Sequence, residues 1–492
     1  MNSQFGMSKW DGNVIDKRKR QRVEAPSPGD WQFLIAVGFI AAVFAMGGGS
    51  RADIVSLSYL RPLAAFVMVA GVMSVRWKHL RQYRLEVLVM LAALALVLVQ
   101  LVPLPPYVWQ ALPGRSILVE IDRWAGLGKT WRPLTMDPPS TRNAFMALIV
   151  PAALLVTLLP LSGRHHSRLL GVVLGIGAID ALLSLLQVLG PAGGPLYFYE
   201  ITNSRWAVGL FANRNHNAMF LASLFPLIAA WWGSQDLSLG SKSPRNQLYW
   251  RLLPAISFTL LLVLLVLLTG SRSGSALAFV ALALSPLVLL RTGGTPEAHR
   301  HNAKVVRISG LIAAFAACLA ALAIWLGRAE AIDRFFVKDP IEDLRVILLP
   351  ALLAMLATYL PWGSGLGTFD PVFRMHEPDA LLDPTYVNHV HNDWLELALT
   401  GGAPALLIAG VAMVGLTLRL RRAWMASTDR SGAVLARASL LSIALLAAGS
   451  ITDYPLRVPS LSCLFVLLAF WTHRPQLALS DDTFGPEMRI RD

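Results

Sequence analysis

The chain is poor in cysteine and in charged side chains, and each scarcity argues against a class of protein. Cys318 and Cys463 are its two cysteines among 492 residues. Neither has a second ligand at metal-binding spacing, so redox chemistry and structural zinc are not expected. Charged residues make up 15% of the chain and hydrophobic residues 55%. This balance favours a protein that crosses a membrane over a soluble protein of several domains.

The beginning of the chain lacks the features of a cleaved signal peptide, because no short apolar region with a small-residue cleavage site follows its charges. Its basic side chains are Lys9, Lys17, Arg18, Lys19, Arg20 and Arg22. Such a run either binds nucleic acid or keeps the segment in the cytoplasm beside anionic lipid, and the second role is favoured. We therefore expect a basic cytoplasmic tail over residues 1–30 and no nucleic-acid partner.

Apolar residues are grouped in blocks of about twenty, each bounded by charge, Gly or Pro, as in membrane-spanning helices. The sequence therefore predicts an all-α, polytopic integral membrane protein with about 12 transmembrane helices. Lys and Arg cluster after nearly every even-numbered span, which predicts cytoplasmic termini and a C-terminal tail over residues 476–492. The predicted spans are residues 31–47, 57–75, 85–103, 143–162, 168–189, 216–233, 252–269, 274–291, 307–326, 394–418, 434–451 and 457–473.

This orientation leaves two long outer segments, residues 104–142 and 327–393, and a shorter one, residues 190–215. Within the second segment, residues 345–360 are apolar, but Pro350 interrupts them. An apolar stretch of about fifteen residues is also too short to cross a bilayer. We interpret it as a half-helix within a long periplasmic loop and not as a thirteenth span.

A run of polar, titratable side chains over residues 390–396, the histidine run, lies where the tenth predicted span begins. His391 in this run is either an interfacial residue with satisfied hydrogen bonds or a base, because neutral imidazole accepts a proton from a hydroxyl near neutral pH. Asp393 or Glu396 is expected to orient the imidazole or to stabilise its charged form. Asn392 is expected to hydrogen-bond a polyhydroxylated substrate, and His389 competes for the role of the base.

Two arginines lie in polar turns on the same predicted outer face. Arg214 lies between Asn213 and Asn215 just before the sixth span, and Arg272 lies in a Ser-Arg-Ser-Gly turn where the seventh and eighth spans meet. Arginine stays charged and presents a planar fork of donors that suits phosphate oxygens, and the start of a helix beside Arg272 adds attraction for an anion. The other interpretation is that each arginine reaches the lipid headgroups.

Two further acidic residues lie in or next to predicted spans. Asp453 begins a polar run between the eleventh and twelfth spans and is a candidate for a further outer group. Asp180 lies in the middle of a predicted span, where acidic residues are functional by default. The sequence shows no partner for Asp180, which therefore stays unassigned.

Taken together, these motifs resemble those of a known family. Similarity to the O-antigen ligase and polymerase superfamily of bacterial envelope enzymes extends over about residues 145–470. It rests on the Asn-rich turn (residues 209–218), the Ser-Arg-Ser-Gly turn, the glycine-rich segment (residues 361–369) and the histidine run. Two glycines follow the histidine in that family. Gly402 fills the first position here, whereas Ala405 replaces the second. Residues 133–141 also resemble a segment that these proteins often carry.

The resemblance implies a fold similar to class C membrane glycosyltransferases over residues 31–475. It also implies inverting, metal-independent glycosyl transfer, without a cofactor, at the periplasmic side of the bacterial inner membrane. The donor would be an undecaprenyl-pyrophosphate-linked oligosaccharide, and the acceptor a hydroxyl of a glycan or of the lipid A core. In this scheme Arg214 and Arg272 stabilise the departing pyrophosphate, His391 activates the acceptor, and Arg345 is a further candidate for binding the lipid carrier.

A ligase and a polymerase share this donor chemistry, so the motifs leave both activities open. Residues 453–459 resemble members that build exopolysaccharides, which favours a polymerase. A transporter or flippase of lipid-linked sugars is the alternative from another class. The polar motifs of this chain lie at one face, without the matched broken helices in two halves that are typical of transporters.

Overall fold

The computed structural model describes residues 28–234, 244–291, 295–326, 340–379, 382, 387–425 and 430–473. Within these ranges the regular structure is helical, apart from one antiparallel pair of short strands, β1 (Pro103–Leu104) and β2 (Arg132–Pro133). The predicted all-α class is therefore confirmed. Most of the predicted N-terminal tail and the whole predicted C-terminal tail lie outside the described residues.

Two short 3-10 helices, Ser285–Leu289 and Pro455–Arg457, accompany the α-helices. In chain order the α-helices are α1 (Pro28–Met46), α2 (Val55–Val72), α3 (Trp77–Gln82), α4 (Arg84–Gln100), α5 (Pro106–Trp109), α6 (Ser116–Trp124), α7 (Pro138–Leu158), α8 (Gly163–Leu189), α9 (Arg214–Ser234), α10 (Pro244–Leu268), α11 (Arg272–Leu284), α12 (Pro296–Leu326), α13 (Pro340–Tyr359), α14 (Phe369–Phe373), α15 (Asp393–Met425), α16 (Arg430–Gly449) and α17 (Pro459–Trp471).

Each of the twelve predicted spans overlaps one of these helices. The chain is thus a multi-pass membrane protein, while the number twelve and the orientation remain predictions. Six helical segments of the described chain are long and apolar enough to cross a membrane: Val55–Val72, Pro138–Leu158, Gly163–Leu189, Arg272–Leu289, Asp393–Met425 and Gly432–Gly449. Shorter apolar segments are Asp30–Met46, Leu252–Leu268, Ile347–Tyr359 and Pro459–Trp471.

The predicted half-helix belongs to α13, which begins at Pro340 and is therefore longer than expected from the sequence. Its apolar part, Ile347–Tyr359, is among the segments that are shorter than a spanning helix. Pro350, which was expected to interrupt this stretch, lies inside the helix. Half-insertion of α13 into the membrane remains a prediction.

Helix α9 lies at the centre of the bundle. Every residue from His216 to Ile228 is buried, and a helix that is apolar and buried on all sides is enclosed by protein instead of lipid. α16 packs along it, with 78% of the segment Gly432–Gly449 buried. The first residue of α9, Arg214, is therefore placed at one end of the protein interior.

Helix α15 is interrupted near its start. Gly402 has φ 65° and ψ −160°, which is far from helical geometry and in the region that favours glycine. The glycine-rich segment pairs with the backbone groups that the break would leave unpaired. Ser364 N donates to Leu399 O (3.0 Å), Gly365 N donates to Thr400 O (2.9 Å), and Ala403 N donates to Pro361 O (2.8 Å). This segment therefore holds the first turns of α15 in place.

The first outer segment supports the glycine-rich segment from the other side. Met136 N donates to Ser364 O at 2.8 Å. Arg115, with 2% exposure, donates to Gly363 O at 3.1 Å. Burial lowers the pKa of Arg115 to about 10, so its guanidinium stays charged at neutral pH. The two outer segments thus pack together next to the start of α15.

Candidate functional site

His391 has a strained backbone and a buried acidic partner. Its φ of 56° is in the left-handed region, which few residues other than glycine adopt and which costs on the order of 1–3 kcal/mol. Its Nδ1 lies 3.3 Å from Asp453 Oδ1, and the Asp453 side chain is completely buried. When Nδ1 carries the proton toward this carboxylate, Nε2 is the ring nitrogen that can accept a proton.

Asp453 joins the histidine run to the Asn-rich turn. Its Oδ2 accepts a hydrogen bond from Asn215 Nδ2 at 2.7 Å, and its Oδ1 lies 3.8 Å from His216 Nε2. Burial alone would raise the pKa of Asp453, but the imidazoles of His216 and His391 outweigh it and hold this pKa well below its ordinary value. Asp453 is therefore a carboxylate at neutral pH.

Tyr454 lies at the centre of the same cluster. Its ring centroid is 4.4 Å from that of His389 and 4.9 Å from those of His216 and His391. Its hydroxyl hydrogen-bonds the side chains of Asn213 and Asn388, and burial followed by the charge of Asp453 raises its pKa. Tyr454 is thus a neutral hydroxyl that connects the Asn-rich turn to the histidine run. We call His216, His391, Asn215, Asp453 and Tyr454 the outer cluster.

Arg214, the first residue of α9, is held next to the outer cluster. Its N–H donates to Asn203 Oδ1 at 3.0 Å, and its guanidinium carbon lies 4.8 Å from the centre of the Trp206 ring. Its two neighbours in the chain, Asn213 and Asn215, contact Tyr454 and Asp453 respectively. The half-buried guanidinium therefore lies on a turn that is fixed on both sides of it.

Arg272 begins α11, and the turn that precedes it packs on Trp206. Ser271 caps this helix by accepting a hydrogen bond from Gly274 N at 3.1 Å. Gly270 packs so closely on the indole that a Cβ there would lie 2.2 Å from Trp206 Cζ3. A Cβ on Gly274 would lie 2.3 Å from the Cβ of Ala218 in α9. The N-termini of α9 and α11 are therefore adjacent, and each one favours an anion.

The structure corrects the expected partner of His391. Asp393 Oδ2 accepts hydrogen bonds from Ser450 Oγ (3.0 Å) and Leu456 N (3.2 Å), and its Oδ1 lies 3.1 Å from Arg457 Nε. Glu396 Oε1 lies 3.1 Å from both Arg457 Nη1 and His389 Nδ1. Both carboxylates are thus engaged elsewhere, and Asp453 contacts His391 in their place. Asp453 was predicted from the sequence as a candidate for a further outer group, but its contact with His391 was not predicted.

Two other predicted site residues have different outcomes. Asn392 Oδ1 accepts a hydrogen bond from Leu395 N at 3.0 Å, so this oxygen caps the first turn of α15. Arg345 belongs to α13, but its side chain lies outside the described residues. Binding of substrate by Asn392 and of the lipid carrier by Arg345 therefore remain predictions.

The fold and the site define a class of protein: a multi-pass helical membrane protein with histidine, carboxylate and arginine groups gathered where several helices begin. Residues 257–410 match the model of a family described as O-antigen ligase, and this match supports the resemblance to the O-antigen ligase and polymerase family. The matched range includes Arg272 and His391, whereas Arg214 precedes it and Asp453 follows it. No curated protein matches the sequence. The O-antigen ligase family in general comprises enzymes of glycosyl transfer in polysaccharide assembly.

Proposed function

We propose that the protein transfers a glycan from undecaprenyl pyrophosphate to an acceptor hydroxyl at the periplasmic face of the inner membrane. The observation that carries the proposal is the strained His391, whose Nδ1 lies against the buried, ionised Asp453. Strain of this kind persists only where the surrounding structure imposes it, and it is concentrated at functional sites. A histidine oriented by a carboxylate through Nδ1 is also the arrangement of a general base.

The proposed reaction is a single displacement. The acceptor hydroxyl oxygen attacks the anomeric carbon of the donor sugar, and its proton passes to His391 Nε2. As the new glycosidic bond forms, the bond from the anomeric carbon to the pyrophosphate oxygen breaks, and undecaprenyl pyrophosphate leaves with the electron pair. Attack from the face opposite to the leaving group inverts the anomeric configuration. These bond changes balance without a cofactor, and Asp453 stabilises the imidazolium that forms.

The two arginines are proposed to bind the pyrophosphate as its charge increases. Arg214 and Arg272 begin two adjacent helices, and Trp206 contacts both Arg214 and the turn before Arg272. Fixed guanidinium groups and backbone N–H groups directed at a departing phosphate lower the barrier by several kcal/mol, on the order of 2–4 for one donor. We expect the base and the arginines to act on opposite faces of the same anomeric carbon, because Asn215 connects the turn that carries Arg214 to Asp453.

The acceptor distinguishes a ligase from a polymerase. A ligase moves a finished glycan to the lipid A core, whereas a polymerase moves the growing chain to another lipid-linked repeat unit. The family match carries the description O-antigen ligase, while the run beginning at Asp453 favoured a polymerase in the sequence. The proposal therefore covers both acceptors, and the experiment below separates them.

The test is a chromosomal His391→Ala strain with the membrane level of the variant measured. Surface polysaccharide and lipid-linked intermediates are analysed together. We expect loss of the surface product, with long glycan retained on undecaprenyl pyrophosphate for a ligase and single repeat units retained for a polymerase. His376→Ala is the matched control, because His376 is a histidine of the same outer segment whose Nε2 lies 2.9 Å from Tyr359 Oη.

Unchanged surface polysaccharide in the His391→Ala strain, at a normal level of the protein, would refute the catalytic role. Accumulation of intermediates on the cytoplasmic leaflet, with transfer intact, would favour a flippase instead. An equal loss in the His376→Ala strain would show that the outer segment tolerates no change, and the test would then use His391→Gln against His376→Gln.

A further inference from the structure

Helix α8 carries three buried polar side chains on one face. Asp180, Ser184 and Gln187 have exposures of 0%, 0% and 1%, and their spacing of four and three residues places them in one row along the helix. α8 is one of the segments that can cross a membrane. Polar groups inside such a helix are costly and are kept where they have a function.

Asp180 and Gln187 bind successive backbone groups of one turn. Asp180 Oδ1 accepts a hydrogen bond from Leu210 N at 2.7 Å. Gln187 Oε1 accepts from Val208 N at 3.1 Å and from Gly209 N at 2.7 Å. Gln187 Nε2 donates to Gly209 O at 2.9 Å. The side chains of α8 therefore accept hydrogen bonds from three consecutive backbone N–H groups, those of residues 208–210, which lie outside regular secondary structure just before α9.

Gly209 and Ser184 add further contacts between α8 and the chain around Arg214. Gly209 has φ 57°, and a Cβ on it would lie 2.1 Å from Asp180 Oδ1, so only glycine allows this approach. Ser184 Oγ accepts a hydrogen bond from Asn217 Nδ2 at 2.9 Å, and the same amide donates to Ala207 O. α8 thus contacts the chain both before and after Arg214.

We propose that Asp180, with Gln187, is a positioning residue for Arg214 and so determines how tightly the enzyme holds the pyrophosphate of its lipid carrier. The inference rests on the proposed function, because it assumes that Arg214 binds this group. Leu210, which Asp180 contacts, lies four positions before Arg214 in the chain, and Asn217 fixes the turn on its other side. Asp180 acts through the backbone and does not itself touch the substrate.

The experiment measures binding of undecaprenyl pyrophosphate to the purified full-length protein in lipid nanodiscs. We expect Asp180→Leu to weaken binding about tenfold, because a small displacement of a binding group has effects of this order or more. Asp180→Asn keeps an oxygen that can accept from Leu210 N, and we expect it to bind within about threefold of the native protein. Ile179→Ala is the matched control, since Ile179 is the neighbouring residue on α8 and is 62% exposed.

A double-mutant cycle with Arg214→Ala distinguishes positioning from general loss of structure. If Asp180 acts through Arg214, Asp180→Leu changes the affinity little once Arg214 is absent. Equal weakening in both backgrounds, or native affinity of a folded Asp180→Leu protein, would overturn the inference. Where Asp180→Leu does not reach the membrane, Gln187→Leu tests the same turn.

The cycle also separates this inference from the proposed function. Native affinity of Arg214→Ala would refute the role of Arg214 and, with it, the positioning role of Asp180. Weak binding by Arg214→Ala together with native binding by Asp180→Leu would leave the proposed function standing and refute the inference alone.

Discussion

Replacement of Asp453 by Asn tests whether the buried carboxylate supports His391 during the reaction. Unit charges at the 3.3 Å between His391 Nδ1 and Asp453 Oδ1 attract each other by about 5 kcal/mol at an effective dielectric constant of about 20. Asn keeps the shape and one accepting oxygen but lacks the charge. We therefore expect a loss of about 3–4 kcal/mol of transition-state stabilisation, which is a slowing of about 10²–10³-fold.

The assay follows transfer of glycan from lipid-linked donor in membranes that contain equal amounts of each variant. Asp370→Asn is the matched control, because Asp370 is an outer carboxylate paired with Arg374 at 2.8 Å. It should leave the rate unchanged. In a His391→Ala background, Asp453→Asn should cost little more, since residues that act as a unit are not additive.

Two results would refute the reasoning on Asp453. A native rate for Asp453→Asn would show that the carboxylate does not stabilise the charged imidazole. A full further loss in the His391→Ala background would show that Asp453 acts independently of His391, for example by holding Asn215 in place.

Three further predictions concern the break in α15, the arginine fork and acid stability. Gly402→Ala should lower the thermal unfolding midpoint by the equivalent of at least about 1–2 kcal/mol, because the new Cβ would lie 2.3 Å from Pro361 O. Gly410→Ala is the control in the same helix and should not lower the midpoint, because the space around Gly410 is open. Equal effects of the two substitutions would contradict this explanation. Arg272→Lys should slow transfer about tenfold despite the retained charge, because the planar fork is lost; a native rate would show that charge alone suffices. The pKa of Asp453 is lowered in the folded protein, so its contribution to stability is complete above about pH 4 and is lost as the pH falls toward the folded pKa. Asp453→Asn should therefore make the unfolding midpoint fall less steeply below about pH 4. An unchanged dependence of the midpoint on acid pH would contradict this.

The apolar helices could be predicted from the sequence because each one corresponds to a continuous apolar block. A helix of about twenty residues is as long as the hydrocarbon core of a bilayer is thick. The partner of His391 could not be predicted from the sequence, because Asp453 lies 62 residues away and the carboxylates of Asp393 and Glu396 are closer in the chain. Substrate binding by Asn392 was predicted from its residue type and remains a prediction, and the residue type gave no sign that its oxygen also caps a helix. Asp180 showed no partner because it binds a backbone N–H 30 residues away, and a backbone N–H leaves no mark in a sequence.

The site is held by two separate supports, and this arrangement determines how it can fail. The polar face of α8 fixes the turn that carries Arg214, while the glycine-rich segment fixes the first turns of α15 that follow His391. Asp453 and Tyr454 contact both halves, since each one bonds the Asn-rich turn and touches His391. Substitutions in one support should therefore weaken either pyrophosphate binding or proton transfer. Substitutions of Asp453 or Tyr454 should instead change the distance between Arg214 and His391, and so affect both.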